Sequence, residues 1–154
     1  QYNQISGGVC VRITNESDYA LRILYELSKA NIDTQRSSVA SAADISEQTG
    51  VSLRFSLKIL RKLSIAGIVA SKKGASGGYY LARDPSDISL GEIIEVIEGQ
   101  IRISNCTQDE YTCPRACDDH DPCRYHSIFC SLTQRFRQEL YSIKLSDVLY
   151  AEEN

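Results

Sequence analysis

A chain of 154 residues, 42% apolar and 24% charged, is the size of one domain with a real core. No apolar run approaches the roughly 20 residues a membrane span needs, and the start "QYNQISGGVC" lacks the basic-then-apolar order of a secretory signal. No membrane partner is therefore expected, the cytoplasm is the expected location, and in its reducing conditions clustered cysteines read as ligands or redox sensors rather than disulfides.

The net charge of −3 hides an asymmetry. Residues 1–83 carry 11 Lys and Arg against 6 Asp and Glu, a balance of +5, and residues 84–154 carry 6 against 14, a balance of −8. Between Glu47 and Asp84 there is no acidic residue, while Arg54, Lys58, Arg61, Lys62, Lys72, Lys73 and Arg83 all fall there. Such a field attracts a phosphate backbone; the plainer alternative is a solvated basic face.

The first ten residues read as a flexible lead. In "NESDYALRILYELSKA", Ala20, Ile23, Leu24, Leu27 and Ala30 recur at helical spacing, with Asn15 as cap and Asp18 in the first turn, where its charge suits the helix dipole. "SAADISEQTG" reads as a short helix with a Ser41/Asp44 capping box and Gly50 as its end. "SLRFSLKILRKLSIAG" starts again from Ser52 and stops at Gly67, with Phe55, Leu57, Ile59, Leu60 and Leu63 as its apolar content. Two helices joined by a tight turn containing Gly form a helix-turn-helix, and the second, bearing Arg54, Lys58, Arg61 and Lys62, is the kind that lies in a major groove.

Two short strands, "IVAS" and "YYLA", then flank a turn with three glycines and Lys72–Lys73. A helix-turn-helix followed by such a hairpin is a winged helix, whose bare, basic tip can enter a minor groove. An ordinary hairpin on a small α+β domain is the alternative. "SLGEIIEVIEG" reads as a helix with a Ser89/Glu92 capping box and Gly99 as its stop. From about Tyr125 a long helix begins, with Ile128, Phe129, Leu132, Phe136, Leu140 and Ile143 in one apolar stripe. A small domain does not easily cover so long a stripe, so it is expected to pack against its copy in a homodimer, which also suits a two-fold DNA site.

Between these helices lies "CTQDEYTCPRACDDHDPCRYH", with four of the six cysteines and both histidines. Successive cysteines are separated by six, three and five residues, so the C-x-x-C of common zinc sites is missing. An iron–sulfur cluster tolerates wider, unequal intervals. A Cys–His nucleophile lacks a recognisable third orienting group here, and Gly74, Gly77 and Gly78 do not match a phosphate-binding loop. The remaining alternative is a set of unpaired thiols on a flexible loop.

Taken together, "VRITNESDYALRIL", "VSLRFSLKILRKLSIAGIVASKKGASGGYYLAR", "SLGEIIEVIEG" and the cysteine segment before a long helix give the chain a resemblance to the IscR/NsrR/RirA-like winged-helix transcriptional regulators, the Rrf-two family. It runs from about Val11 to Tyr150, with the family's usual first methionine falling at Val11. The resemblance implies a mainly α fold with a small β-hairpin wing, and no enzymatic activity. It implies a homodimer on near-palindromic promoter DNA, acting as a repressor, with a 2Fe–2S or 4Fe–4S cluster that alters DNA binding. It places Cys106 on the family's first cysteine, Cys123 on the third, and Cys113 or Cys117 on the second. The fourth ligand is His126 in one branch of the family and an aspartate at the place of Asp18, from the partner subunit, in another. Each has a plainer role, His126 as a polar residue starting the long helix and Asp18 as a first-turn acid. Cys10 and Cys130 are not expected to be ligands.

DNA contact is expected from Ser52, Arg54, Phe55, Lys58 and Arg61, and on the hairpin from Lys72, Lys73, Gly77, Gly78 and Tyr79. Where one branch of the family reads bases with a glutamate, this chain has Leu57, so that branch's operator cannot be borrowed. The implied organisation is a flexible extension over 1–10, a winged helix-turn-helix domain over 11–99, a cluster-binding loop over 100–124, a dimerisation helix over 125–145 and a tail over 146–154. Two further functions stay open: a cluster-free thiol-switch regulator, as in cluster-free members of the family, and a zinc-stabilised interaction module with no DNA role.

Overall fold

A computed structural model describes residues 13–34, 39–74, 76–107 and 123–150. The helices are α1 (Asn15–Thr34), α2 (Ala42–Thr49), α3 (Leu53–Ile65), α4 (Leu90–Glu98), α5 (Arg124–Ser142) and α6 (Leu145–Leu149). Strands β1 (Val69–Lys72) and β2 (Gly78–Leu81) form one antiparallel hairpin with Val69 opposite Leu81 and Lys72 opposite Gly78. The fold is mainly α with a small wing, as expected.

The core forms where the apolar faces of α1, α3 and α4 meet. Ala20, Ile23, Leu24 and Leu27 of α1 pack with Ile59, Leu60 and Leu63 of α3 and with Ile93 and Ile97 of α4. Burying a side chain of this size is worth about 1.5–3 kcal/mol, so these positions fix how the helices cross. The start of α1 differs from expectation. Thr14, not Asn15, precedes the first turn, and Glu98 at the end of α4 accepts hydrogen bonds from Thr14 N at 2.9 Å, from Thr14 Oγ1 at 3.0 Å and from Ser17 Oγ. A carboxylate from another helix thus meets the unpaired donors and positive end of α1.

Helix α2 has the expected capping box. Asp44 N donates to Ser41 Oγ at 3.1 Å, Ser41 N donates to Asp44 Oδ2 at 3.2 Å, and Gly50 closes the helix with φ 68°. Ser52 precedes α3, but its side chain makes no cap bond; its carbonyl accepts from Ser56 N at 2.9 Å. The turn is held from inside, because the Val51 carbonyl accepts from Ser46 Oγ at 2.7 Å and from Ser56 Oγ at 3.3 Å.

The wing has a third member. Ala40, ahead of α2, pairs with Tyr79 through bonds of 2.8 and 3.0 Å between their backbones. Gly78 lies against this crossing, and a Cβ built on it would sit 2.4 Å from the Ala40 carbonyl oxygen.

Ser89 caps α4 by accepting from Glu92 N at 3.2 Å, but the Glu92 carboxylate turns away and binds Arg83 Nη2 at 2.6 Å, so the box is half formed. The end of the chain returns to α4. Leu90 N donates to the Ile143 carbonyl and Leu145 N to the Ile88 carbonyl, each at 2.9 Å, and Leu145 is buried in the core. Helix α5 thus stops at Ser142, and α6 occupies Leu145–Leu149.

Candidate nucleic-acid interface and thiol site

Ser56, Ile59, Leu60 and Leu63 bury one face of α3, which leaves Arg54, Leu57, Lys58 and Arg61 outward. Leu53, Arg54, Leu57, Lys58 and Arg61 line one shallow groove. Ser52 is exposed, and Phe55, 48% exposed, meets Tyr19 edge to face with ring centroids 6.3 Å apart. The cations are not equivalent. Lys58 Nζ lies 3.0 Å from Glu16 Oε2, and Lys62 Nζ lies 2.7 Å from Glu16 Oε1 and donates to the Ile97 carbonyl at 2.8 Å. The Lys62 hydrogen bond, with that of Lys58 and both positive charges, outweighs burial and holds the Glu16 carboxyl below its ordinary range.

On the wing, Lys72 and Lys73 are exposed at the tip and Tyr79 is half-buried beneath it. Gly77 and Gly78 have reasons internal to the fold. A Cβ on Gly77 would stand 2.3 Å from the Lys72 carbonyl oxygen, and Gly78 presses on Ala40.

Cys106 lies in a 3-10 turn, Asn105–Thr107, and Cys123 lies immediately before α5. Both are half-buried free thiols, and Cys106 Sγ is 3.2 Å from Ser104 Oγ. They flank residues 108–122, so Cys113 and Cys117 lie outside the described residues. His126 is exposed on the first turn of α5, with Nε2 3.5 Å from Cys130 Sγ. Cys130 lines a groove with Gln100, Ile101, Thr107, Thr133 and Arg137, where the chain after α4 crosses α5. Asp18 makes an ion pair with Arg22, one turn on, at 2.8 Å. Among the described residues, no three of His, Cys, Asp or Glu are grouped as a metal ion requires.

Sequence reasoning missed the joint under this region. Glu95 of α4 accepts from Arg137 Nε at 2.8 Å, from Arg137 Nη2 at 3.1 Å, from Tyr141 Oη at 2.6 Å and from Ile101 N at 3.1 Å. Burial pushes the Glu95 carboxyl up, but these donors and the guanidinium charge outweigh it and hold the group below its ordinary range. Around the joint, Ile94, Ile101 and Leu140 form a second small core, with Phe136 packed on it. The C-terminal half of the α5 stripe is thus covered within the chain, whereas Tyr125, Ile128 and Leu132 are 66%, 54% and 43% exposed.

The model of the family described as "Rrf2: Iron-dependent Transcriptional regulator" matches residues 13–151. The chain belongs to the Rrf2 family. An HTH-type transcriptional regulator, rrf2-like, of Rhodobacter capsulatus is 33% identical over 141 residues, which cover 90% of this chain and 93% of that protein. Among solved structures, T. potens IscR is 27% identical with a TM-score of 0.70, covering 92% of this chain and 88% of that one. CymR, the global cysteine regulator of B. subtilis, is 26% identical with a TM-score of 0.71, covering 92% and 98%. As an Rrf2 member the chain is a DNA-binding transcriptional regulator, and the Rrf2 relatives are regulators rather than enzymes. A zinc-stabilised module with no DNA role does not fit this family. Among the described residues, no helix is long and apolar enough to cross a membrane.

Proposed function

We propose that the protein acts in the cytoplasm as a homodimeric repressor whose grip on promoter DNA is set by an iron–sulfur cluster. The observation that carries this reading is the placement of two free, half-buried thiols, Cys106 after α4 and Cys123 before α5, on either side of residues 108–122. Their soft donor chemistry fits such a cluster. Cys106, Cys123 and either Cys113 or Cys117 would hold it, with His126 or Asp18 as fourth ligand. Of these two, Asp18 is already engaged by Arg22, whereas His126 is exposed, with the Cys130 thiol beside it. When bound, the cluster would supply a group that is gained, lost or altered as iron supply, redox state or nitric oxide changes.

The chain's own residues supply the rest. Arg54, Phe55, Lys58 and Arg61 of α3, with Ser52 before it, face the major groove, and Lys72, Lys73 and Tyr79 bring the wing to the neighbouring phosphates, with Gly77 and Gly78 letting its tip lie close. Tyr125, Ile128 and Leu132 meet their copies across the two-fold. The segment after α4 reaches α5 through Ile103 N and Thr133 Oγ1 at 3.3 Å, and reaches α4 through Ile101 N and Glu95. From there Glu98 holds the start of α1, and Glu16 on that turn holds Lys58 and Lys62 of α3. A shift at the thiols therefore moves both the reading helix and the dimer helix, and half-sites near one helical turn apart, about 34 Å, respond to small changes in spacing.

The test is oxygen-free purification followed by a visible spectrum, iron and sulfide analysis, and binding to the chain's own upstream DNA. Charge-transfer absorption that disappears in Cys106→Ala and Cys123→Ala supports the reading. Full cluster content in either variant overturns the ligand assignment.

A second reading, a thiol switch without iron, is favoured by the contact of Cys130 Sγ with His126 Nε2 and by the likeness to CymR. Colourless, iron-free protein whose DNA binding changes with peroxide as thiols are lost would select it.

A further inference from the structure

Leu57 lies on the outward face of α3. It is 43% exposed and belongs neither to the core nor to the partly buried residues packed on it. Arg54 lies one turn before it, Lys58 next to it and Arg61 one turn after it, all lining the same groove. Leu53, 46% exposed, lies one turn before Leu57 in that groove. Phe55 differs from both, since its ring meets Tyr19. This basic surface therefore carries a small apolar patch between its cations.

A leucine adds nothing to phosphate binding and has no hydrogen bond to offer a base edge. Placed against guanine, cytosine or adenine alone, it would strip water from base-edge donors and acceptors without replacing it. The apolar group that natural B-DNA presents in the major groove is the C5 methyl of thymine. Arg54 and Arg61, on either side, have the donor geometry for guanine O6 and N7 or for phosphate.

We propose that Leu57, backed by Leu53, reads the C5 methyl of one thymine in each half-site, making it a specificity-determining residue for the operator. The inference rests on the DNA-facing role assigned to α3 above. It differs in kind from the arginine contacts, because it senses a methyl group and no hydrogen bond.

The test begins by selecting duplexes from a random library with the full-length protein. Each thymine of the selected site is then replaced in turn by deoxyuridine, which keeps every hydrogen bond and removes only the methyl. One position per half-site should lose about fourfold in affinity, equivalent to ~0.8 kcal/mol for a methyl-sized group. In Leu57→Ala, checked for folding by circular dichroism, thymine and deoxyuridine at that position should bind equally, and Leu57→Met should restore the difference. The deoxyuridine scan on the unaltered protein stands even if the alanine variant fails to fold. A scan with no sensitive position, or sensitivity that survives Leu57→Ala, overturns the inference while leaving DNA binding by α3 intact. If no duplex is enriched, the role of α3 on which it rests has failed instead.

Discussion

Glu16 of α1 holds Lys58 of α3 at 3.0 Å, so a lysine on the proposed reading helix already has an anionic partner. The same carboxylate holds Lys62 at 2.7 Å. A phosphate bound by Lys58 would have to compete with this pair, and exposed or half-exposed ion pairs of this kind are worth up to about 1 kcal/mol.

Glu16→Gln should therefore tighten binding to duplex DNA about fivefold at low salt, and should steepen the salt dependence by about one unit as a freed lysine takes a phosphate. Fluorescence anisotropy over a salt series measures both. An unchanged slope would show that Lys58 never exchanges Glu16 for DNA.

The Glu95 joint has a defined pH response. Its carboxyl lies below its ordinary value of 4.5 in the folded chain, so its bonds to Arg137, Tyr141 and Ile101 contribute fully above that value and are lost as pH falls through the lowered one. Thermal stability should fall on acidification below about pH 4.5. Glu95→Gln should cost about 2 kcal/mol at neutral pH, typical of charge-assisted bonds, and should flatten the acid dependence. Calorimetry between pH 3 and 7 tests this, and equal acid slopes in the two proteins would refute it.

Much of the DNA-binding half was legible because its signals are local. Ser41, Asp44 and Gly50 set α2 within ten residues, and the basic run from Arg54 to Lys73 needs no tertiary knowledge. The joint was not legible, since Glu95 and Arg137 are 42 residues apart and Glu98 and Thr14 are 84 apart, and nothing in one stretch announces the other. The Ser89/Glu92 box failed for the same reason, because Arg83 competes for the carboxylate. The stripe on α5 was visible as a period, but only packing divides it into a covered half and an open one. The places of Cys106 and Cys123 at the two ends of the segment between α4 and α5 were readable from the order of the elements, while their proposed role as ligands came from the family resemblance.

Gly78→Ala should destabilise the protein by about 2 kcal/mol, because the new methyl meets the Ala40 carbonyl and overpacking of this kind costs roughly 1–3 kcal/mol. Hydrogen exchange at Tyr79 N, which donates to Ala40, should accelerate most. Protection equal to that of the unaltered chain would mean the wing tolerates the shift.

If the open half of the α5 stripe forms the proposed dimer interface, Ile128→Glu and Leu132→Glu should leave the fold intact, since both side chains are already about half exposed, but should halve the mass seen by sedimentation equilibrium. Retention of a dimer in both variants would place the two-fold elsewhere.

The ring of Tyr141 lies where a side chain on Gly91 would stand, with Cδ2 2.3 Å from an ideal Cβ, while one turn along Glu95 clasps both Arg137 and Tyr141. These two contacts, on successive turns of α4, oppose both sliding and rotation of α4 against the second half of α5. Strain arriving at Cys123 would be resisted by both contacts before it could shear these helices past each other. On the reading proposed above, it would leave through the first turns of α5 toward a second subunit or through Glu98 toward the first helix, and the stiffness of this corner would let a disturbance at a thiol be felt at a base pair.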